Sequence, residues 1–324
     1  MNPVLHATIY GAVIITVLMA VAAMVTWFER KMAGRIQTRL GPTIVGPFGL
    51  LQPIADVLKL FQKERIVPDS ASPWIFGLAP PLTVLFAVAT AAVVPLTPDV
   101  IAADLDIGVL WVLAVGGLVV IPVWMAGWAS NNKLALIGGM RAVAQSVSYE
   151  VPLVMAAMVP VVLTGSMSMK AMVVAQSAHH FWFVFNPIGF VAFFIFMGAM
   201  LAESNRIPFD IPEAESELVA GVSTEYTGVQ FAMFQTGEYA HTIIAAATAS
   251  VLFLGGWDGP FAAGLHWMVL KTLLVFLAIY VLRWTLLRFR SDQLMTMCWK
   301  WFVPISVVLV MLAGLWVAYV EPQL

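Results

Sequence analysis

Long apolar runs recur along the chain, and they limit its fold more than any other feature of the sequence. A helix needs about 20 apolar residues to cross a membrane, and the sequence contains eight candidate runs. Because lipid offers the backbone no hydrogen-bond partners, such segments must be helical. The sequence therefore predicts an all-α integral membrane protein with eight transmembrane helices. The runs are residues 5–27, 74–96, 108–129, 143–164, 183–202, 240–257, 266–287 and 302–320.

The composition agrees with a membrane protein. Hydrophobic residues make up 61% of the chain and charged residues 10%, whereas a soluble domain carries about 25% charge. The net charge of −2 gives no reason to expect a nucleic-acid partner. The first apolar run lacks the basic leader and the small-residue cleavage site of a signal peptide, so we expect it to be retained as the first span. We expect a single membrane domain over residues 1–324.

Basic residues predict the orientation of the chain. They collect in the loops after the first, third and seventh runs, and cytoplasmic loops of membrane proteins carry an excess of such residues. With eight spans, these three loops lie on the same side. Both termini are therefore predicted on the periplasmic side in a bacterium. The residues concerned are Arg30, Lys31, Arg35, Arg39, Lys59, Lys63, Arg65, Lys133, Arg141, Arg288, Arg290 and Lys300.

The first long loop, residues 28–73, contains a candidate helix. Its apolar residues recur at helical spacing, which predicts an amphipathic helix along the membrane interface. A short helix packed on the protein surface would give the same pattern. In the same loop, Arg30, Arg35 and Arg39 either line the mouth of a polar cavity or simply reflect the topology. The apolar positions of the candidate helix are Leu51, Ile54, Ala55, Leu58 and Phe61.

The sequence offers few ligands for a cofactor. It contains no glycine-rich phosphate loop, no HExxH segment and no GxSxG segment. Its five histidines have no metal-ligand spacing. The single cysteine, Cys298, excludes an internal disulfide and a cysteine-based zinc or iron–sulfur site within the chain. We therefore expect no metal and no redox centre in this chain.

Carboxylates are concentrated in one polar stretch after the fifth run, "NRIPFDIPEAESELVAGVSTEYTG". If its central part, residues 210–218, is helical, then Asp210, Glu213 and Glu217 lie on one face. Glu215 then points elsewhere. Burial of such a group raises the pKa of its carboxyl groups, and one arginine offsets only part of the effect. The cluster suits proton holding or transfer, and a solvated acidic loop is the alternative interpretation.

Glutamates also lie inside the apolar runs or at their ends. Glu150 lies within the fourth run, Glu203 at the end of the fifth, and Glu238 at the start of the sixth. Acidic residues at membrane depth are functional candidates. Each of Glu150 and Glu238 has a tyrosine next to it in the sequence, Tyr149 and Tyr239 respectively. A tyrosine hydroxyl can hydrogen-bond a carboxyl group.

Three segments carry a resemblance to one family. Residues 26–64, "TWFERKMAGRIQTRLGPTIVGPFGLLQPIADVLKLFQKE", residues 130–153, "SNNKLALIGGMRAVAQSVSYEVPL", and residues 202–226, "AESNRIPFDIPEAESELVAGVSTEY", are similar in order to three signatures. The family is that of the H subunit of bacterial NADH:quinone oxidoreductase, or respiratory complex I, whose mitochondrial counterpart is NADH dehydrogenase subunit 1. The resemblance covers essentially the whole chain.

The resemblance implies a subunit of a proton-translocating enzyme in the bacterial inner membrane. Such a subunit forms the passage for the isoprenoid tail of quinone and the membrane half of the quinone chamber. FMN and iron–sulfur clusters lie in partner subunits, and this chain carries no redox centre. The implied partners are quinone, lipids, the quinone-site subunits of the hydrophilic arm, and the small membrane subunits that lead to the antiporter-like subunits.

The resemblance, together with the first-loop arginines, implies two groups of site residues, none of them catalytic and none a metal ligand. The quinone chamber is expected to include Glu29, Arg30, Arg35, Arg39, Asp56, Lys59, Asp210 and Glu225. The proton path is expected to include Arg141, Glu150, Glu203, Arg206, Glu213, Glu215, Glu217 and Glu238.

Two other functions remain open on the sequence alone. A membrane subunit of a membrane-bound hydrogenase-type complex shares the scaffold without using quinone, and a neighbouring gene for a hydrogenase catalytic subunit would favour it. A stand-alone secondary transporter would also need buried acids, but the sequence lacks the internal repeats typical of that class. Extraction as an isolated monomer would favour a transporter, whereas extraction within a large flavin-containing assembly would favour the quinone enzyme.

Overall fold

The chain forms a helical bundle. The computed structural model describes residues 3–319 except 179, 180 and 214, and the side chains of residues 11–319 except 179, 180 and 214–216. No strand occurs within these ranges. The α-helices are α1 (Pro3–Ile36), α2 (Gln52–Gln62), α3 (Pro73–Ala91), α4 (Gly108–Gly117), α5 (Val120–Ala129), α6 (Lys133–Thr164), α7 (Met169–Ala178), α8 (Pro187–Glu203), α9 (Glu215–Leu218), α10 (Gly228–Phe253), α11 (Leu265–Thr285), α12 (Ser291–Met297) and α13 (Val303–Tyr319).

Six helical segments of the described chain are long and apolar enough to cross a membrane, against eight expected from the sequence. Helix α8 is apolar but has only 17 residues. Helix α10 has 26 residues. The polar residues Glu238 and His241 interrupt its apolar sequence, although the helix itself is continuous. Each of the eight predicted runs overlaps a helix, so the eight-span arrangement stays a prediction. The six segments are Gly11–Ile36, Pro73–Ala91, Gly108–Ala129, Lys133–Thr164, Leu265–Thr285 and Ser291–Tyr319.

Two helices begin well before the apolar runs that predict them. Helix α6 begins at Lys133, ten residues before the start of the apolar run 143–164. The side chain of Asn132 caps this helix by accepting a hydrogen bond from the Leu134 backbone N–H at 2.9 Å. Helix α10 begins at Gly228. Glu238 therefore lies more than two turns inside a helix, where the sequence placed it at the start.

The bundle is organised around its two longest internal helices. Helix α6 packs against α5, α8 and α13, whereas α10 packs against α3, α11 and α1. Glycine allows the closest of these approaches: a Cβ atom on Gly127 of α5 would lie 2.5 Å from the backbone oxygen of Ala135 in α6. The segment after α8 folds back over α6, and a Cβ atom on Gly138 would lie 2.8 Å from the Pro212 oxygen. The segment after α8, which we call the acidic segment because it carries the concentrated carboxylates, is therefore packed onto the bundle.

The acidic segment is less helical than the sequence suggested. Helix α9 covers only Glu215–Leu218, and residues 210–213 form turns and irregular backbone. The condition under which Asp210, Glu213 and Glu217 would share one face, a helix over residues 210–218, is therefore met only at 215–218. Backbone packed against α6, together with proline at position 212, prevents a continuous helix.

Helix α2 lies in the first long loop, where a helix was expected. Pro53 occupies its first turn, which suits a residue without a backbone N–H. The side chains of Ile54, Leu58 and Phe61 are exposed along its length. Its placement along a membrane interface stays a prediction.

We expect Gly127→Ala to destabilise the folded chain by roughly 1–3 kcal/mol, the usual cost of overpacking a close contact. The added methyl group meets a backbone oxygen of α6, which cannot rotate away. Gly314→Ala in α13 is the matched control, because its Cβ would have no neighbour within 4 Å. Heating membranes and measuring the fraction of chain that mild detergent still extracts would test this, and equal midpoints for the two variants would contradict it.

Candidate functional site

A buried group of charged side chains lies where α1, α10 and α11 meet the segment after α8. We call it the arginine cluster. Helix α1 supplies one glutamate, the irregular segment supplies an arginine and two acids, and α10 and α11 supply the rest. Its members are Glu29, Arg206, Asp210, Glu213, Glu238, Tyr239 and Arg283.

Arg206 is the buried cation at the centre of this cluster. Its side chain is 6% exposed, and its Nη2 atom lies 3.6 Å from Oε2 of Glu238. Its Cζ atom lies 4.3 Å from the ring centre of Tyr239, a cation–π geometry. Because a buried charge needs a partner to offset its desolvation, Arg206 holds this part of α10 against the segment after α8.

A second buried ion pair joins the first helix to the eleventh. Arg283 of α11 donates a very short hydrogen bond to Oε1 of Glu29 in α1, and the two side chains are 16% and 6% exposed. Sequence reasoning placed Glu29 at the quinone chamber and overlooked Arg283. The available signal was an arginine within an apolar run, which is costly unless it is paired.

Carboxylates outnumber arginines in the arginine cluster, and this imbalance favours proton retention. The charge of Glu238 raises the pKa of Glu213 well above its usual range, and burial and Asp210 add to the effect. Burial likewise raises the pKa of Asp210, although three nearby arginines oppose the shift. Like charges that share a buried site cannot all ionise. Some of these carboxyl groups therefore keep their protons at a pH where an exposed carboxyl group has lost its own.

A second buried group lies between α4, α6, α8 and α10, and we call it the histidine cluster. It consists of Glu150, Glu203 and His241, with Tyr149 close to both carboxylates. The Nε2 atom of His241 lies 3.3 Å from Oε1 of Glu203. Ser146 donates a very short hydrogen bond to Glu150 one turn along α6. The sequence did not single out His241, because α10 begins earlier than its apolar run.

Gln145 links the two clusters through hydrogen bonds to the backbone. Its buried amide nitrogen donates to the backbone oxygen of Ala202 at 2.7 Å and to that of Phe209 at 3.0 Å. This one side chain of α6 therefore joins the end of α8 to the irregular segment. Glu203 and Arg206, which belong to different clusters, both lie in the short stretch of chain between these two oxygens. No feature of the sequence marked Gln145.

Other predicted site residues lie away from both buried clusters. Arg141 pairs with Glu217 at 2.6 Å on the surface, and the hydrogen bond from Arg141 lowers the pKa of Glu217. Glu225 is half-buried and accepts a hydrogen bond from the Asn132 amide at 2.7 Å. The side chain of Glu215 lies outside the described residues. The structure therefore separates acids that the sequence grouped together.

An open cavity of about 470 Å³ lies between the end of α1 and the first long loop. Its walls are mainly apolar, with three basic side chains. Beside it, Arg30 pairs with Asp56 of α2 at 2.5 Å, and Lys59 is exposed on α2. The lining residues are Trp27, Phe28, Lys31, Met32, Arg35, Arg39, Leu40, Gly41, Thr43 and Phe48.

The predicted quinone-chamber residues therefore lie in several places. Arg35 and Arg39 line the open cavity, whereas Glu29 and Asp210 belong to the buried arginine cluster. Within the described chain, no group of three or more histidine, cysteine or acidic side chains is arranged to hold a metal ion.

Comparison with known proteins identifies the family. A family model described as NADH dehydrogenase matches residues 9–314. The chain belongs to the NADH dehydrogenase family. This confirms the family predicted from the three sequence segments, whose bacterial members are complex I membrane subunits.

Individual relatives cover most of this NADH dehydrogenase family chain. The H subunit of NADH-quinone oxidoreductase from Dehalococcoides mccartyi (strain CBDB1) is 46% identical over 298 residues, which cover 92% of the chain and 82% of the relative. The H subunit of the same enzyme from Paramagnetospirillum magneticum is 46% identical over 301 residues, covering 91% and 87%. An H subunit from Koribacter versatilis is 42% identical over 345 residues, covering 97% of both.

We expect infrared spectroscopy to detect a protonated carboxyl group on Glu213 at about pH 6, where a free glutamate is almost wholly ionised. The raised pKa of Glu213 keeps its proton on, so Glu213→Gln should remove a carboxyl C=O band. Glu217→Gln is the matched control, because the lowered pKa of Glu217 leaves it ionised. An identical carboxyl region in wild type and Glu213→Gln would show that Glu213 is ionised.

Proposed function

We propose that the chain is the quinone-chamber membrane subunit of a proton-translocating NADH:quinone oxidoreductase. In this proposal it forms the passage through which the quinone tail enters and links quinone reduction to proton translocation. The observation that carries the proposal is the buried arginine cluster, in which carboxylates outnumber arginines, beside the histidine cluster. Family membership and the names of the relatives support it.

The arginine cluster has the chemistry needed to respond to a nearby reaction. Its acids hold protons because the carboxylates repel one another and burial disfavours charge. Reduction of a quinone draws protons to its oxygens, so a change of charge at the chamber alters which cluster carboxylates are ionised. Arg206 and Arg283 stabilise the ionised ones. The cluster therefore receives the electrostatic signal of quinone reduction.

The histidine cluster continues this path into the bundle. Glu203 is the last residue of α8, the segment that carries Arg206 follows it, and Gln145 fixes both ends of that short connection. Glu150 lies on α6, against the backbone of α4. Protons held at the arginine cluster can thus move towards Glu203 and Glu150. In this proposal the path leads on to small membrane subunits and then to antiporter-like subunits.

The open cavity at the first loop suits the tail of a quinone. Its volume of about 470 Å³ falls within the range of small-molecule sites, about 300–1,000 Å³. Trp27, Phe28 and Phe48 give it an apolar wall, while Arg35 and Arg39 lie at the same cavity. The exposed apolar face of α2 would lie along the membrane interface beside it.

The topology proposed from the sequence fits this function. We place eight spans in one membrane domain, both termini on the periplasmic side of a bacterial inner membrane, and the basic first loop on the cytoplasmic side. The quinone-site subunits of the hydrophilic arm would dock on that side. FMN and iron–sulfur clusters in partner subunits supply the electrons, and this chain holds and moves protons.

The hydrogenase-type alternative has less support. It would not need a passage for an isoprenoid tail, whereas this chain has a cavity of suitable size and lining. The relatives from all three organisms are named as subunits of NADH-quinone oxidoreductase. A stand-alone transporter receives no support from those names.

We expect Glu213→Gln to lower coupled NADH:quinone turnover and proton translocation, because a glutamine cannot exchange the proton that Glu213 holds. Glu64→Gln, an equivalent change at an exposed position, should leave both unchanged. The measurement is NADH oxidation together with proton uptake by vesicles that contain the assembled complex. Wild-type turnover and wild-type protons per NADH in Glu213→Gln would rule out an essential role.

We expect a photoreactive quinone analogue to label residues 28–65, because the open cavity lies between α1 and the first loop. Excess unmodified quinone should abolish the labelling, and Phe48→Ala should weaken it by removing an apolar wall. Mass spectrometry of the cross-linked complex provides the measurement. Labelling confined to other subunits would contradict a passage through this chain.

A further inference from the structure

His241 is a buried titratable side chain that has no role in the proton path proposed for the acids. It lies in the middle of α10 with 5% of its surface exposed. Its Nε2 atom faces Oε1 of Glu203 at 3.3 Å, across the contact between α10 and α8. Neither ring nitrogen makes a hydrogen bond to a described protein group, so the approach of Nε2 to Glu203 is an electrostatic contact. A buried polar atom without a protein partner usually contacts water or has a chemical role.

Glu203 lies between two small cavities. One, of about 20 Å³, is lined by Glu203, His241, Thr90 and Thr248 together with apolar side chains. The other, of about 10 Å³, is lined by Glu203 and Tyr149. A cavity of this kind needs a volume of roughly 10–15 Å³ to hold one water molecule, and the water needs polar partners. The larger cavity satisfies both requirements, with a carboxylate, an imidazole and hydroxyl groups in its walls.

Two adjacent glycines of α4 allow the histidine cluster to form. A Cβ atom on Gly116 would lie 2.8 Å from Oε1 of Glu203 and 3.5 Å from Cε1 of His241. A Cβ atom on Gly117 would lie 3.1 Å from Oε1 of Glu150. Both carboxylates therefore press against the backbone of α4 at neighbouring positions. Glu150, Glu203 and His241 consequently form a row across three helices.

The charged and titratable surroundings of His241 come from several elements. Helix α8 contributes Glu203, and α6 contributes Glu150 and Tyr149. On its own helix, Glu238 lies one turn earlier. The cavity walls from α3 and α4 contribute Thr90 and apolar side chains. The carboxylate that directly faces a protonated His241 is therefore that of Glu203.

We propose that His241 is a proton-carrying member of the path, paired with Glu203. The step transfers a proton from Oε1 of Glu203 to Nε2 of a neutral imidazole, breaking the O–H bond and forming an N–H bond, and no electron moves. It leaves a carboxylate beside an imidazolium, and the reverse transfer restores the neutral pair. Imidazole suits this role because it changes charge near physiological pH.

The pair gives the path a second proton-exchanging group in the larger cavity, which Glu203 and His241 both line. The second ring nitrogen of His241 can exchange its proton with a water molecule in the larger cavity, beside Thr90 and Thr248. Glu203 can meanwhile exchange a proton with the groups near its other side, Tyr149 and Glu150. This inference rests on the proposed function, and it assigns to one further residue a place in the same path.

The test uses His241→Asn, which keeps a hydrogen-bonding side chain at Glu203 but cannot accept a proton. Vesicles containing the assembled complex oxidise NADH with a short-chain ubiquinone, and a pH-sensitive dye reports proton uptake between about pH 5 and 8, where imidazole groups titrate. We expect the variant to lose a titration step in coupled turnover that wild type shows, and to move fewer protons per NADH. His266→Asn, at an exposed histidine, should behave as wild type.

An unchanged pH profile with unchanged protons per NADH in His241→Asn would overturn the inference. If that variant does not assemble, Gly116→Ala provides the test, because its methyl group would lie 2.8 Å from Oε1 of Glu203 and would disturb the contact between Glu203 and His241. Gly314→Ala is again the control. Loss of the titration step in Gly116→Ala would support the inference, and its retention would overturn it. Wild-type vesicles that reduce quinone without moving protons would instead overturn the proposed function.

Discussion

The burial of the Arg206 guanidinium is the interaction on which the arrangement of the site depends. A guanidinium cannot lose its proton in a protein, and removing such an ion from water costs several kcal/mol unless partners surround it. The partners on α10 are Glu238, 3.6 Å from Nη2, and the ring of Tyr239, 4.3 Å from Cζ. The segment after α8 must therefore fold down against α10. Once it does so, its acids are buried as well, and the pair between Glu29 and Arg283 closes the cluster on the side of α1 and α11.

Burial gives the acids of this segment different properties according to where each one lies. Asp210 and Glu213 face other carboxylates in a low-dielectric setting, so their pKa values rise. Glu217, only four residues after Glu213, reaches the surface and pairs with Arg141, so its pKa falls. One short acidic sequence thus supplies both proton-holding groups and an ordinary surface ion pair, which contributes little to stability.

Small side chains and one amide place the two buried clusters side by side. Glycines in α4 let the carboxylates of Glu150 and Glu203 approach helical backbone. Gln145 holds the end of α8 and the irregular segment to the same point on α6. The distance between the clusters is therefore set by backbone packing, which changes little when individual groups gain or lose protons. The proposed proton path would use this arrangement, because a fixed frame keeps the two clusters at one distance while protons move between them.

The sequence by itself determined the membrane class, the helical architecture and the family, because apolar runs of membrane length must be helical in lipid and because three long segments resemble known ones. It also indicated most of the buried acids. It did not identify Arg283, His241 or Gln145, since each is a single polar residue within a helix and its partner is distant in the sequence. It also grouped Glu217 with Glu213 on a helical face that does not form. Only the tertiary structure decided which acids share a buried space, because desolvation and charge pairing depend on which helices meet rather than on spacing along the chain.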